Sequence, residues 1–228
     1  MDMINKISLE CVDSTNNYAK NNISTLSLPS LITAEMQTSG RGRQGKSFYS
    51  PDKTGLYMTL VFEAPETCEL LTAAAAVAVC IELEEIGANP QIKWVNDVYL
   101  DGLKICGILA ECFLHKEKKY IALGIGINIS TETFPAEIPN AGSLNINCNK
   151  DILANNIAKR FLSLKDDRYI LNEYENRLFV VGKTVTYTKN GTEYVANVKG
   201  INNLCNLVVI RTDGTEDILS SGEISIKL

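Results

Sequence analysis

The sequence predicts an α+β fold: a mixed, mainly antiparallel sheet with covering helices, followed by a small C-terminal β-barrel. Three patterns predict it. Apolar runs of strand length follow one another between residues 91 and 129, broken by an Asp101-Gly102 hairpin signal. Two segments, 65–86 and 150–164, keep a helical spread of apolar residues. Past Val180 the chain changes to short runs divided by Asn190-Gly191 and Asp213-Gly214, both hairpin signals.

Taken in order, residues 6–12 read as a first strand, and Asp13 or Ser14 as the N-cap of a short helix over 16–22. Residues 31–36 and 56–62 read as strands. Pro65 and Glu66 open a long alanine-rich helix to about Ile86, stopped by Gly87; it is apolar nearly all round and so is expected to lie buried against the sheet. Residues 91–94 and 98–100 are strands around an Asn96-Asp97 turn. Residues 103–114 and 120–129 are two longer strands joined around His115. Residues 134–149 form a loop with two prolines. Asn149 caps a helix over 150–164, with Ile152, Leu153, Ile157, Phe161, Leu162 and Leu164 on its apolar positions, and 169–178 is a shorter helix. The division expected is 1–179 for the main domain and 180–228 for a barrel too small to be comfortably stable alone.

The totals exclude several classes. The chain has 228 residues and a net charge of −5, which argues against a nucleic-acid surface. No apolar run has the length of a membrane span, and the first residues do not read as a signal peptide. Seven scattered cysteines without a C-x-x-C pattern read as small core hydrophobes of a reducing, cytoplasmic compartment. The one histidine, His115, sits in a polar turn without partners at ligand spacing, so neither a zinc site nor a serine-histidine triad is expected.

The chemistry concentrates in Ser39-Gly40-Arg41-Gly42-Arg43-Gln44-Gly45-Lys46-Ser47-Phe48-Tyr49-Ser50-Pro51. Glycines allow close backbone approach, exposed N–H groups can cradle an anion, and arginines supply bidentate donors. Gly40 to Ser47 also matches the P-loop pattern letter for letter. That pattern needs a helix opening at Lys46-Ser47, and Pro51 breaks a helix there. Further along, Lys93-Trp94-Val95-Asn96-Asp97 puts a cation, an amide and a carboxylate around one turn. Lys104 is a lone cation in an apolar strand ahead of Gly107. Gly124 and Gly126 clear one strand face, where a flat ligand could lie. Arg41, Arg43, Lys46, Lys93 and Lys104 are five cations suited to two anions that must meet, as when a carboxylate is joined to the α-phosphate of ATP.

These motifs, in this order, resemble the biotin protein ligases, and Asp13-Ser14-Thr15-Asn16 and the terminal Gly222-Glu223-Ile224-Ser225 fit as well. The resemblance implies a class II synthetase-like sheet, an SH3-like terminal barrel, and a two-step reaction in which biotin and MgATP give biotinyl-5′-AMP, which then modifies a lysine of a biotin carboxyl carrier protein. By motif, Ser14, Thr15, Gln37, Arg41, Lys104, Gly107, Leu109, Gly124 and Gly126 resemble biotin contacts. Arg41, Arg43, Lys46, Phe48, Lys93, Asn96, Asn128 and Lys227 resemble contacts to ATP or the adenylate. Lys104, Arg43 and Asp97 resemble the catalytic groups, Asp97 being the carboxylate near the acceptor lysine. Two departures stand out: Val95 replaces a usual proline, and Phe48 stands where tryptophan is common. The resemblance implies ATP, Mg²⁺ and biotin as ligands and leaves a homodimer open. It implies no nucleic-acid or membrane partner, since no DNA-binding domain is expected ahead of Asp13. A lipoate or octanoate ligase or transferase and a non-catalytic biotin or nucleotide sensor are the other readings.

Overall fold

The structure, a computed structural model, describes residues 3–164, 166–220 and the backbone of 224–226. A seven-stranded mixed sheet organises it. Strands β1 (Asn5–Val12), β2 (Ser30–Gln37), β3 (Gly55–Glu63), β4 (Gln91–Lys93), β5 (Asp97–Leu100), β6 (Leu103–His115) and β7 (Lys118–Asn128) lie in the order β1-β2-β3-β7-β6-β5-β4. Only β1 and β2 run parallel; the other neighbours are antiparallel.

Alternation along the strands divides the sheet into two faces. Leu56, Met58 and Leu60 on β3, with Ile108, Leu123, Ile125 and Ile127, face one large core. That core is closed by α2 (Leu71–Glu85), α3 (Lys150–Ser163) and α4 (Asp167–Asn176). The run of four alanines in α2 makes a good helix former with a thin profile, so the helix sits close on the sheet with Ala73 to Cys80 buried. Gly87, at φ +92, terminates it in the left-handed region where a side chain would be strained. Asn149 caps α3 as its side-chain oxygen accepts from the N–H groups of Asp151 and Ile152, each at 3.0 Å.

The opposite face carries the short helix α1 (Thr15–Asn22), where Ala19 and Ile23 pack on Ile32, Val61 and Ala122. The sheet therefore carries helices on both faces. α2 begins at Leu71, not at Pro65, because the chain is still paired to the sheet through the Ala64 N–H to Lys119 O bond and needs the intervening residues to cross to the helical layer. Trp94 ends outside β4, its indole donating to the Cys205 carbonyl at 2.9 Å. Ile152 is exposed rather than part of the α3 core face. Three cysteines, Cys80, Cys106 and Cys205, are buried, but Cys11, Cys68 and Cys112 are exposed and so are not core residues. The ring of His115 is partly enclosed, with its Nε2 buried, rather than fully solvated.

The C-terminal strands form a second antiparallel sheet in the order β11-β10-β9-β8-β12, from β8 (Thr184–Lys189), β9 (Thr192–Ile201), β10 (Leu207–Arg211), β11 (Glu216–Leu219) and β12 (Ile224–Ile226). Asn190 and Gly191, at φ 53 and 78, make the tight turn their residue types favour. Val185, Tyr187, Ala196, Val198, Leu207 and Val209 belong to the same apolar cluster as the main sheet, so burial continues from one sheet to the other. The fold is therefore α+β, with a mainly antiparallel main sheet and a small antiparallel sheet at the C-terminus.

Candidate active site

The site lies on the sheet face that α1 only partly covers. β6 and β7 pair Gly107 with Gly126 and Leu109 with Gly124, so three glycines and one leucine form its floor. Two cavities open on it. The larger, about 380 Å³, is lined by all five predicted cations, Arg41, Arg43, Lys46, Lys93 and Lys104, with Asn96, Asp97 and Asn128. The smaller, about 30 Å³, is lined by Ser14, Thr15, Asn16, Gln37, Met58, Gly124, Ile125 and Gly126. Arg41, Phe48, Gly107 and Leu109 border both.

The loop between β2 and β3 is a compact hairpin-like excursion. Phe48 N–H donates to Gly40 O at 2.9 Å, Gly42 N–H to Lys46 O at 2.7 Å, and a β-bridge joins Arg41 to Ser47. Gly40 is needed for close approach: a Cβ there would stand 2.4 Å from the Phe48 carbonyl oxygen. A single 3₁₀ turn, Arg43–Gly45, takes the place of a helix, and Lys46 is extended at φ −67, ψ 152. The P-loop reading requires a helix opening at Lys46-Ser47, and none is there.

The glycine floor holds protein atoms. A Cβ on Gly126 would lie 2.5 Å from the Phe48 ring, one on Gly107 3.2 Å from it, and one on Gly124 2.5 Å from Asn16 Oδ1. The Phe48 ring thus rests on the surface expected for a flat ligand, and it packs edge-on to Tyr57 at 6.4 Å. It divides the two cavities, which accounts for the small volume of the second.

Polar groups ring that second pocket. Gln37 Oε1 accepts from the N–H and hydroxyl of Thr15 at 2.9 and 3.1 Å, and Gln37 Nε2 donates to Ser50 Oγ at 2.9 Å. Ser14 holds the N-cap position of α1 with its side chain buried, but it makes no capping bond. Thr59 donates to Asn16 Oδ1 at 2.6 Å, and Asn16 Nδ2 donates to Glu111 Oε2 at 2.9 Å. Glu111 also pairs with Lys20 at 3.0 Å and Arg41 at 3.4 Å. Burial alone would raise the Glu111 carboxyl, but the bonds from Asn16 and Lys20 outweigh it and hold it below the ordinary glutamate value. Arg41 therefore points along the sheet, toward Glu111 and Asn17, to which it donates at 3.0 Å.

In the larger cavity Lys104 Nζ pairs with Asp97 at 2.7 Å, and Arg43 donates to Asn96 Oδ1 at 3.2 Å. Asn96 in turn donates to the Ile108 carbonyl at 2.8 Å, which tethers its turn to β6. Lys93 lies 5.8 Å from the centre of the Tyr99 ring, whose phenol burial pushes up to about 12. Asn128 donates to Gly142 O at 2.9 Å, while its buried Oδ1 has no hydrogen-bond partner. Lys227 lies outside the described residues. Among the described residues no group of three or more histidine, cysteine or acidic side chains could hold a metal ion.

Asn16, Ser50, Thr59 and Glu111 were not among the site residues expected from the sequence. Glu111 was detectable: it falls two and four residues after Leu109 and Gly107 on the same alternation, so it shares their face.

An arginine-rich loop and a glycine floor on an α+β sheet define a site suited to anionic groups beside a small polar pocket. A profile of the Biotin/lipoate A/B protein ligase family matches residues 8–128, and the chain belongs to that family. It is 31% identical over 139 residues to the bifunctional ligase/repressor BirA of Escherichia coli, covering 59% of this chain and 43% of that protein. It is 32% identical over 123 residues to the biotin–[acetyl-CoA-carboxylase] ligase of Mycobacterium tuberculosis, covering 50% of this chain and 44% of that one. The chain spans about half the length of the curated relatives it matches. Among solved structures, the biotin protein ligase from Aquifex aeolicus in complex with biotin and ATP superposes with a TM-score of 0.83 at 26% identity, over 98% of both chains. Among the described residues, no helix is long and apolar enough to cross a membrane.

Proposed function

We propose that the chain activates biotin with ATP and transfers it to a lysine of a biotin carboxyl carrier protein. In the first step a biotin carboxylate oxygen attacks the α-phosphorus of ATP and pyrophosphate leaves. In the second, the acceptor amine attacks the acyl carbon of the mixed anhydride, losing a proton as AMP departs.

The observation that carries this reading is the junction of the two cavities. The small pocket, ringed by Ser14, Thr15, Asn16 and Gln37, suits a compact uncharged ring system with N–H and C=O groups. The larger one, lined by five cations, suits a triphosphate and its nucleoside. Lys104 Cε lies 3.6 Å from where a Gly107 Cβ would be, so its ammonium stands at the boundary. There it offsets repulsion between carboxylate and phosphate and meets the charge that develops as the bond forms. Arg43 and Lys46 hold the phosphates from the loop, and Asn128 Oδ1 faces the nucleoside side. Asp97, once Lys104 takes an anionic partner, is the carboxylate that receives the acceptor ammonium. For biotin to occupy the floor, the Phe48 ring lifts and covers it.

Mg²⁺ fits this site as an ion carried by the triphosphate, since such ions need only one or two protein oxygens besides phosphate and water. Asn128 and Glu137 line the cavity and would hold the ion, which would neutralise phosphate charge. A relative named as a biotin–[acetyl-CoA-carboxylase] ligase supports a carboxylase carrier as partner. A cytoplasmic setting and a division of labour between 1–179 and 180–228 are parts of the same proposal.

The test is pyrophosphate release from MgATP with biotin, with lipoate or with neither. Release that depends on biotin supports the reading, release only with lipoate moves the chain to the other branch of its family, and ligand binding without release makes it a sensor.

A further inference from the structure

Glu111 stands outside the set of groups that would touch ATP, yet its carboxylate has three polar partners beside the small pocket. One carboxylate oxygen accepts from Asn16 Nδ2 at 2.9 Å, and the other meets Lys20 at 3.0 Å and Arg41 at 3.4 Å. It therefore ties α1 twice and the arginine loop once to the middle of β6. An ionised carboxylate only accepts hydrogen bonds. The Asn16 amide must then turn its nitrogen to Glu111 and its oxygen the other way. That oxygen lies over Gly124, on the pocket wall, 2.5 Å from the place of a Gly124 Cβ. It takes one hydrogen bond from Thr59 at 2.6 Å and keeps a second lone pair.

We propose that Glu111 is a positioning residue: by fixing the Asn16 amide it presents a hydrogen-bond acceptor to the small pocket and so selects a ligand head that donates N–H groups, a cyclic urea, over a dithiolane of similar size. This rests on the reading of the site given above. The same carboxylate keeps Arg41 at the rim of that pocket. Without its charge the Asn16 NH₂ keeps only the Leu109 and Ala122 carbonyls, at 3.4 Å each, so the amide turns more readily and can offer its NH₂ to the pocket, where it repels a urea N–H and gains nothing from sulfur. A site built to pair with N–H discriminates because an unpaired polar group is left when the wrong ligand enters.

The experiment compares biotin and lipoate binding by calorimetry, in the absence of nucleotide, for the full chain and for Glu111→Gln, Asn16→Ala and the double variant. The ratio of the two dissociation constants should fall about tenfold in each single variant, the size expected for one hydrogen bond inside a pocket. The double variant should fall no further than either single one, since both remove the same acceptor. Thermal melting checks the fold; a merely structural Glu111 would lower the melting temperature and leave the ratio alone. An unchanged ratio in a folded Glu111→Gln or Asn16→Ala protein overturns the proposal, and so do additive losses. Wild-type protein that shows no biotin-dependent pyrophosphate release overturns the functional reading itself, a separate outcome.

Discussion

At the scale of single residues, the proposed function places its weight on Lys104 and its partner. The 2.7 Å pair with Asp97 keeps the ammonium on the sheet face in place of solvent. Lys104→Ala should lower biotin-dependent pyrophosphate release by two to three orders of magnitude, about 2.7–4 kcal/mol, the usual loss for one preorganised electrostatic contact. Its melting temperature should change little, because the pair is partly exposed and such pairs contribute about 1 kcal/mol or less. Turnover near the wild-type rate would return Lys104 to the role of a surface lysine. Asn96 matters differently: it accepts from Arg43 and donates to Ile108, so it couples the arginine loop to the turn that carries Asp97.

At the scale of elements, the glycines of β6 and β7 exist to keep a strip of sheet clear. Gly126→Ala puts a methyl 2.5 Å from the Phe48 ring. The ring sits on a loop and can move, so the protein should fold with a loss of about 1–3 kcal/mol, the usual cost of overpacking. Biotin, which in the proposed function lies on the same floor, should bind at least tenfold more weakly, measured by calorimetry; equal affinity would show that the ligand lies elsewhere. The cap of α3 gives a control far from the site. Asn149→Ala removes two hydrogen bonds at the helix start and should cost about 1 kcal/mol in denaturant unfolding while leaving activity alone.

At the scale of the whole molecule, one apolar cluster runs through both sheets, and the Trp94 indole adds a polar tie between them, to Cys205 O at 2.9 Å. The small sheet has its own polar centre. Asp217 is buried and bonded by Lys189, Tyr187 and Arg211, while Arg211 lies 3.8 Å from the Tyr194 ring centre. The Lys189 ammonium, then Tyr187 and Arg211, lower the Asp217 carboxyl from 3.8 to about 2. A group lowered on folding stabilises the native state above its unfolded value and ceases to do so as pH falls through its folded value. The advantage in melting temperature of wild type over Asp217→Asn should therefore be constant above about pH 4 and shrink between pH 4 and pH 2. An advantage that does not change with pH would mean that shape, not charge, makes Asp217 important.

What the sequence by itself determined is local. Periodicity and turn chemistry give the strands, the helices and their stops, because Gly87, Asn149, Asp101-Gly102 and Asn190-Gly191 act on their own few neighbours. The five cations of one cavity were legible for the same reason: their charge clusters at strand ends and in one loop. The tertiary structure decided what depends on contact through space. It seats Phe48 on Gly107 and Gly126, turns Arg41 to Glu111, and brings Asn16 to Glu111 across 95 positions of sequence. No window of a few residues holds such a pairing; it exists only once β6 and β7 are in register and α1 lies across them.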